Sequence, residues 1–240
     1  MTAKSGYKPV THIIFDSDGT VMDTENIYTD AINEIVVPFG KTYTYEMKLR
    51  YMGMPAMQSA QQLVTELQLP LTPLEYLKIF DAVVFRRIQN VQLMPGVRDL
   101  ILHLHDHRIP MAIATSSVRA AFNTKSAPHR NLLPALHHVV CGNDPELGLG
   151  RGKPLPDIFL LAASRFHPPP EPSKCLVFED SPNGLQAGIA AGMQVVLIPD
   201  PRVPAAMRSG ATQVLDSMAE FQPQLFGLPH YDTCSKFEFG

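Results

Sequence analysis

The chain has 240 residues, of which 45% are hydrophobic and 18% charged, and 20 Lys and Arg residues against 23 Asp and Glu residues leave a net charge of −3. This composition is ordinary for a globular protein and excludes a disordered acidic chain. The near-neutral charge argues against a surface that binds nucleic acid. No apolar run reaches the ~20 residues of a membrane span. We therefore expect neither a nucleic-acid partner nor a membrane partner.

The three cysteines, Cys141, Cys175 and Cys234, are too far apart for a metal-binding pattern or a disulfide framework. Residues 1–9 are polar and lack the apolar stretch of a signal peptide. Reduced thiols without a leader are typical of a cytoplasmic protein. A cytoplasmic location is therefore the expectation.

Five short apolar segments predict β-strands. They are residues 12–15, 111–114, 138–141, 175–178 and 194–198. Each is continuously apolar rather than alternating, which is typical of strands buried on both faces of a sheet. Helix-like segments lie between several of them, including 97–104, 156–166 and 182–191. The sequence therefore predicts an α/β fold, with a three-layer, Rossmann-like parallel sheet covered on both faces.

The alternation is interrupted after the first strand. Residues 25–90 contain no strand-like run and show three helical patterns, at 27–37, 56–67 and 74–90, with Thr72 as a plausible cap of the last. A stretch of this size is enough for a small domain. We therefore predict a helical domain over residues 25–91, inserted into a discontinuous core of residues 9–24 and 92–229. Residues 230–240 have no assigned role.

Polar side chains follow three of the predicted strands. Asp16 and Asp18 end the first, Thr115 ends the second, and Glu179 and Asp180 end the fourth. The carboxyl ends of parallel strands share one edge of a sheet, where ligands bind, so these groups should converge on one crevice. Neighbouring carboxylates repel unless a cation or a proton separates them. An all-oxygen set of Asp16, Asp18 and Asp180 suits a hard ion such as Mg²⁺.

The Asp16-Ser17-Asp18-Gly19 segment has a simpler interpretation as a turn with solvated acids, because Asp and Gly are common in turns. A calcium-binding loop is excluded. Counted from Asp16, the sixth position is Val21 instead of glycine and the twelfth is Ile27 instead of glutamate.

Lys153 follows a glycine-rich stretch, residues 148–152. This is not a phosphate-binding P-loop, because Pro154 occupies the position of the required Ser or Thr. A lysine here could still supply a positive charge to a phosphate. Taken alone, the pattern favours a solvated loop lysine.

Four segments together resemble the motifs of the haloacid dehalogenase-like hydrolase superfamily, in order and with suitable spacing. They are Phe15-Asp16-Ser17-Asp18-Gly19-Thr20, Ala114-Thr115-Ser116-Ser117, Gly152-Lys153-Pro154-Leu155-Pro156-Asp157 and Phe178-Glu179-Asp180-Ser181-Pro182-Asn183-Gly184. The helical insert resembles the small cap domain of that superfamily. The resemblance covers nearly the whole chain, and the combination is much more specific than any single motif.

The resemblance implies a role for each acidic residue. Asp16 would be the nucleophile that forms an aspartyl-phosphate. Asp18 would protonate the leaving alcohol and then take a proton from the attacking water. Mg²⁺ would be held by Asp16, the backbone carbonyl of Asp18 and Asp180, with Glu179 orienting water on the ion.

It also implies the contacts to substrate. Thr115 and Lys153 would bind the phosphoryl oxygens and stabilise the charge that develops there. Ser116 and Asn183 would make supporting contacts. Gly53 lies in the loop of the cap that would face the substrate.

The implied activity is that of a Mg²⁺-dependent phosphatase acting on a small phosphorylated metabolite as a monomer, with pseudouridine 5′-phosphate as the expected substrate. A sugar or glycerol phosphate is the nearest alternative. A phosphomutase and a catalytically silent binding protein stay open, whereas a dehalogenase is disfavoured by the presence of Asp18. Ser17 departs from the bulky apolar residue usual between the two aspartates, and its side chain should point away from the site.

Overall fold

The computed structural model describes residues 7–51 and 54–231. Six parallel strands form one sheet in the order β3-β2-β1-β4-β5-β6. The strands are β1 (His12–Phe15), β2 (Met111–Thr115), β3 (His138–Cys141), β4 (Cys175–Glu179), β5 (Gln194–Leu197) and β6 (Gln213–Val214). The predicted α/β class is confirmed, and β6 adds a two-residue edge strand that the sequence pattern did not predict.

Both faces of the central strands are buried, as their continuous apolar character predicts. Ile13 and Phe15 of β1 pack into one hydrophobic cluster, while Ile14 packs into a second cluster on the opposite face. On β4, Phe178 and Val177 divide between the two clusters in the same way. Alternate side chains of a strand point to opposite faces, so a strand with helices on both sides has no polar face.

Eight α-helices accompany the sheet in the described part of the chain. They are α1 (Glu25–Val36), α2 (Tyr45–Tyr51), α3 (Ala56–Leu67), α4 (Pro73–Arg87), α5 (Val97–Asp106), α6 (Arg119–Ser126), α7 (Asp157–Ser164) and α8 (Pro182–Ala190). Helices α1, α3 and α4 confirm the three predicted between the first two strands. Helices α2 and α6 were not predicted, because both are short and their segments mix polar and apolar residues without a clear helical period. Helix α7 is equally short, but its largely apolar sequence made it recognisable.

Helix starts follow the local sequence signals. Thr72 forms a capping box with Glu75: the Thr72 hydroxyl accepts from the Glu75 N–H at 3.3 Å, and a Glu75 carboxylate oxygen accepts from the Thr72 N–H at 2.8 Å. At α8, Ser181 accepts from the Gly184 N–H at 3.0 Å, and Pro182 occupies the first helical position. The second of these caps sits at the edge of the candidate site.

The strand order sets the position of the site. Strands β2, β1 and β4 are neighbours, so the polar residues that follow them meet at one edge of the sheet. Helices α1 to α4 form a helical insert, residues 25–90, whose side chains pack against one of the two sheet clusters. Arg202, beyond β5, lies with its guanidinium carbon 4.0 Å from the ring centroid of Tyr45 on α2, so the insert is in contact with the sheet unit. Among the described residues, no helix is long and apolar enough to span a membrane.

Candidate active site

Lys153 lies between two carboxylates at the end of the central strands. Its ammonium contacts Asp16 and lies 2.6 Å from Oε1 of Glu179 and 3.3 Å from the carbonyl oxygen of Ala114. The lysine is only 1% exposed, so the solvated loop lysine that the glycine-rich pattern favours is wrong. The carboxylates of Asp16 and Glu179 raise the pKa of Lys153 against the opposing effect of burial, because they stabilise its charged form.

The other oxygen of Glu179 is held by the start of α8. Oε2 accepts from the backbone N–H groups of Asp180 and Ser181, both at 3.1 Å, and from the Ser181 hydroxyl at 3.0 Å. Gly184 is required beside it, because a Cβ at that position would lie 1.8 Å from Oε1 of Glu179. Glu179 is therefore fixed by the helix N-terminus on one side and by Lys153 on the other.

Asp16, Glu179 and Asp180 form a buried acidic cluster, in which one carboxylate oxygen from each lies within 4.8 Å of the others. Burial raises the pKa of Asp180 well above its usual value, and the neighbouring Glu25, Glu179 and Asp16 add to this effect. Burial likewise raises the pKa of Asp16 to about 7, against the effect of Lys153. A hard cation would relieve this repulsion, and an all-oxygen set of carboxylates is the donor chemistry that Mg²⁺ prefers.

A tight turn after Asp18 makes room for Asp180. Gly19 has φ = 81°, in the left-handed region, and its N–H donates to the carbonyl of Met22 at 2.8 Å. A Cβ on Gly19 would lie 2.2 Å from Oδ2 of Asp180. Glycine is needed at this position both for its backbone conformation and for the close approach of Asp180, which follows β4.

Asp18 lies at the same edge of the sheet and accepts hydrogen bonds on both oxygens. Oδ1 accepts from the hydroxyls of Thr24 and Tyr28, both at 2.9 Å. Oδ2 accepts from the hydroxyls of Ser117 at 2.9 Å and Thr115 at 3.3 Å. Burial opposes the ionised form, but the ammonium of Lys125 and these donors outweigh it and hold the pKa of Asp18 below its usual value.

Lys125 is a site residue that the sequence did not reveal. It lies on α6, is 0% exposed, contacts Oδ2 of Asp18 and lies 2.8 Å from the Ser117 hydroxyl. The two aspartates of the first motif thus pair with different buried lysines, Asp16 with Lys153 and Asp18 with Lys125. No motif marks Lys125, because α6 is a short helix without a recognisable pattern.

The remaining predicted residues occupy different positions around the site. Thr115 is fully buried, and its hydroxyl accepts from the Ser117 N–H at 3.1 Å while donating to Asp18. Ser116 lines the cavity described below. Asn183 lies in the first turn of α8 and is half-buried. Gly53 lies outside the residues that the structure describes.

A cavity of about 330 Å³ extends from the carboxylates into the helical insert. Asp16, Asp18, Asp180 and Ser116 form its floor, and much of its wall comes from aromatic and apolar side chains of the insert. The aromatic rings of the wall are those of Tyr28, Tyr43, Tyr51 and Phe80. A pocket with apolar walls and a few converging polar groups is the usual form of a small-molecule site.

The cavity wall also carries an ion pair that the sequence did not reveal. The ammonium of Lys48, on α2, lies 2.9 Å from a carboxylate oxygen of Glu25, at the start of α1. Burial raises the pKa of Glu25, although Lys48 opposes this effect. Among the described residues that line the cavity, Lys48 is the only lysine or arginine. It could not be placed from the sequence because α2 was not predicted.

Comparison with known proteins bears on the chemistry of this arrangement. The family model described as haloacid dehalogenase-like hydrolase matches residues 10–192. The chain is 47% identical over 224 residues to the Drosophila melanogaster protein named "Probable pseudouridine-5′-phosphatase", covering 93% of this chain and 96% of that protein. It is 39% identical over 231 residues to "(DL)-glycerol-3-phosphatase 2" of Arabidopsis thaliana, covering 95% of each.

Solved structures agree on the fold. The crystal structure of CbbY from Rhodobacter sphaeroides in complex with phosphate superimposes with a TM-score of 0.74, at 23% sequence identity, over 88% of this chain and 96% of that one. The sheet order, the converging strand-end carboxylates and the family match over most of the chain lead to one assignment. The chain belongs to the haloacid dehalogenase-like hydrolases.

Proposed function

We propose that this protein is a Mg²⁺-dependent phosphatase that hydrolyses a small phosphomonoester through a phosphorylated Asp16. The observation that carries the proposal is the convergence of Asp16, Asp18 and Asp180 on one cavity, with the ammonium of Lys153 in contact with Asp16. The membership of the family and the two phosphatase relatives support the same reaction class.

The two aspartates divide the chemistry between them. Asp18 favours its ionised form in the free site, and the negative charge of a bound phosphate ester favours its protonated form. An oxygen of the Asp16 carboxylate attacks phosphorus, the bond from phosphorus to the alcohol oxygen breaks, and the protonated Asp18 gives its proton to the departing oxygen. Water then attacks the same phosphorus, Asp18 takes a proton from that water, and phosphate leaves as the Asp16 carboxylate is restored. Both side chains line the cavity floor, so a phosphoryl group seated there is within reach of each.

The acidic cluster is the proposed site of the ion. Asp16, Asp180 and the backbone carbonyl of Asp18 would hold Mg²⁺, and Glu179 would support them from below. When bound, the ion supplies positive charge that offsets the repulsion between the carboxylates and an incoming phosphate. Glu179 itself is occupied by Lys153 and by the N-terminus of α8, which fits a residue that orients the site.

Phosphoryl contacts are assigned to Thr115 and Lys153, with Ser116 and Asn183 in support. Lys153 places its charge beside the attacking oxygen of Asp16 and stabilises negative charge there. We propose that residues 25–91 act as a cap over a core of residues 9–24 and 92–229. The aromatic wall of the cavity comes from this unit, so the cap would exclude water and select the leaving alcohol. Gly53 would belong to the substrate-facing loop of the cap.

For the substrate, pseudouridine 5′-phosphate is the first choice. The relative from Drosophila melanogaster supports it, and so does the cavity, whose volume of about 330 Å³ and aromatic wall suit a leaving group with a planar ring. Glycerol phosphate is the second candidate, supported by the relative from Arabidopsis thaliana. A sugar phosphate, a phosphomutase reaction and a silent binding function have less support. The expected monomeric state and cytoplasmic location stay predictions.

The reaction class is tested with the purified full chain, Mg²⁺ and p-nitrophenyl phosphate. The D16N variant should lose phosphate release, by at least about 10³-fold, since it lacks the nucleophile. D23N is the matched control, because Asp23 is exposed and lies in the same segment. Undiminished turnover by D16N would disprove the proposal.

The substrate is tested by comparing kcat/KM across phosphate esters with the wild-type protein. The set includes pseudouridine 5′-phosphate, uridine 5′-phosphate, glycerol 3-phosphate and a hexose phosphate. The proposal expects the highest kcat/KM for pseudouridine 5′-phosphate. A higher value for glycerol phosphate would transfer the assignment to the second candidate.

A further inference from the structure

Lys125 is a buried charged residue with no part in the reaction as described above. Its side chain is 0% exposed, and it is not among the residues that line the cavity. A buried ammonium is costly unless it is paired and hydrogen-bonded. Here both requirements are met within the site: the ammonium contacts Asp18 and lies 2.8 Å from the hydroxyl of Ser117.

The donors around Asp18 come from separate parts of the chain. Thr24 lies just before α1, Tyr28 lies on α1 in the helical insert, and Ser117 follows β2. Lys125 approaches from α6, which is 107 residues away from Asp18 along the chain. A carboxylate has about four lone-pair positions, so this set leaves little freedom for the group to rotate.

We propose that Lys125 is a positioning residue for Asp18. Its ammonium holds Oδ2 of Asp18 from outside the cavity. The Asp18 carboxylate therefore keeps one orientation while the alcohol leaves and while water attacks. It acts through Asp18 and Ser117 and does not touch the substrate. The inference rests on the proposed function, because it assumes that Asp18 is the group that exchanges protons with the leaving oxygen.

The chemistry of the leaving group provides a readout specific to this role. An alkoxide is a poor leaving group and needs the proton from Asp18, whereas p-nitrophenolate is stable and departs almost without help. For either ester, kcat/KM reports the steps up to departure of the alcohol. Disturbing the position of Asp18 should therefore lower kcat/KM for alkyl phosphates much more than for p-nitrophenyl phosphate. A loss of folding or of ion binding would lower both alike.

The test compares K125M with the wild-type protein, using the alkyl ester that the wild type hydrolyses fastest and p-nitrophenyl phosphate. K125M should lower kcat/KM for the alkyl ester by about 10²-fold, the cost of a misplaced catalytic group. It should lower kcat/KM for p-nitrophenyl phosphate by less than about fivefold. K174M is the matched control, because Lys174 is exposed, precedes β4 at the end opposite to Glu179, and does not line the cavity. Equal losses on both esters, or no loss on either, would overturn the inference.

Two further variants apply if K125M does not fold, as judged by its thermal transition. K125R keeps the charge but changes the shape of the donor, and S117A removes the hydroxyl that joins Lys125 to Asp18. In both variants kcat/KM should again fall more for the alkyl ester than for p-nitrophenyl phosphate, with a smaller fall than in K125M. Equal effects on the two esters would again overturn the role of Lys125. D16N separates the two proposals. If D16N still releases phosphate, the proposed reaction is wrong. If D16N is inactive but K125M, K125R and S117A lower kcat/KM equally for both esters, only the role of Lys125 is disproved.

Discussion

The Lys153 ammonium lies 2.6 Å from Oε1 of Glu179, and both side chains are almost completely buried. The same ammonium contacts Asp16. One lysine thus bridges carboxylates at the ends of two neighbouring strands, β1 and β4, at the edge where the site is built. Its removal would leave buried negative charge without a counter-charge.

We expect K153M to destabilise the protein strongly, since breaking a buried ion pair from one side costs about 3–5 kcal/mol. Urea denaturation without added Mg²⁺ measures the change in the free energy of unfolding. K174M, at an exposed lysine, is the control. A loss for K153M below about 1 kcal/mol, the value of a surface ion pair, would contradict the buried arrangement.

Removing the charge of Asp180 should stabilise the protein, in contrast to removing the charge of Lys153. Burial and the nearby carboxylates raise its pKa well above the usual value, so the ionised form opposes folding. At pH 8 without Mg²⁺, D180N should therefore unfold at a higher temperature than the wild type, by about 2–4 °C for each kcal/mol of repulsion relieved.

The same variant should no longer respond to the ion. Mg²⁺ should raise the thermal transition of the wild type, because a ligand that binds only the folded state stabilises it. D180N should show little of that rise, and D23N should behave as the wild type. Parallel Mg²⁺ responses in D180N and the wild type would contradict the assignment of Asp180 to the ion site.

Ser17 offers a prediction about packing. Its side chain is 0% exposed, does not line the cavity, and its hydroxyl has no hydrogen-bond partner among the described residues. A buried hydroxyl without a partner costs about 1–3 kcal/mol. S17A should therefore raise the free energy of unfolding by about 1 kcal/mol in urea denaturation. S126A is the control, because the buried Ser126 hydroxyl donates to the carbonyl oxygen of Asn123 at 3.4 Å. A fall in the free energy of unfolding of S17A would contradict the expectation.

His138 should make the protein sensitive to mild acid. Its Nε2–H donates to the carbonyl of Ala162 at 2.9 Å, which leaves Nδ1 as the acceptor facing Nδ1 of His137 at 2.8 Å. Burial, aided by His137, lowers the pKa of His138 from 6.5 to about 4. Because the folded state resists protonation, the stabilisation from neutral His138 is complete above pH 6.5 and is lost as the pH falls toward 4.

The H138Q variant isolates this contribution. The fall in thermal transition between pH 7 and pH 4 should be smaller in H138Q than in the wild type. H105Q, at an exposed histidine, should follow the wild type. Identical pH dependence in H138Q and the wild type would show that His138 does not resist protonation.

The sequence predicted the position of the site where a recognisable strand pattern is followed directly by reactive side chains. Continuous apolar runs located β1 to β5, and carboxylates that directly follow such runs had to meet once the strands were parallel neighbours. Lys153 could be placed from the resemblance but not from its own surroundings, since a glycine-rich loop normally exposes its lysine. Its burial depends on the approach of β1 and β4, which are distant in the sequence.

Lys125 and Lys48 mark the limit of sequence reasoning. Each lies on a short helix whose sequence shows no clear helical pattern. Each acquires its partner only by tertiary packing: Lys125 pairs with Asp18, and Lys48 with Glu25. A lysine on a short amphipathic helix is ordinarily solvent-exposed, so neither position carried a signal. The shape and lining of the cavity were beyond prediction for the same reason.

A phosphoryl group bound covalently to Asp16 is the central chemical claim. The wild-type protein would be mixed with p-nitrophenyl phosphate and Mg²⁺, quenched in acid within the first turnover, and treated with borohydride, which reduces an acyl phosphate to an alcohol but leaves free carboxylates unchanged. Mass spectrometry of the peptides should then find homoserine at position 16. Phosphate release with Asp16 unmodified at every quench time, or homoserine at another carboxylate, would contradict the mechanism.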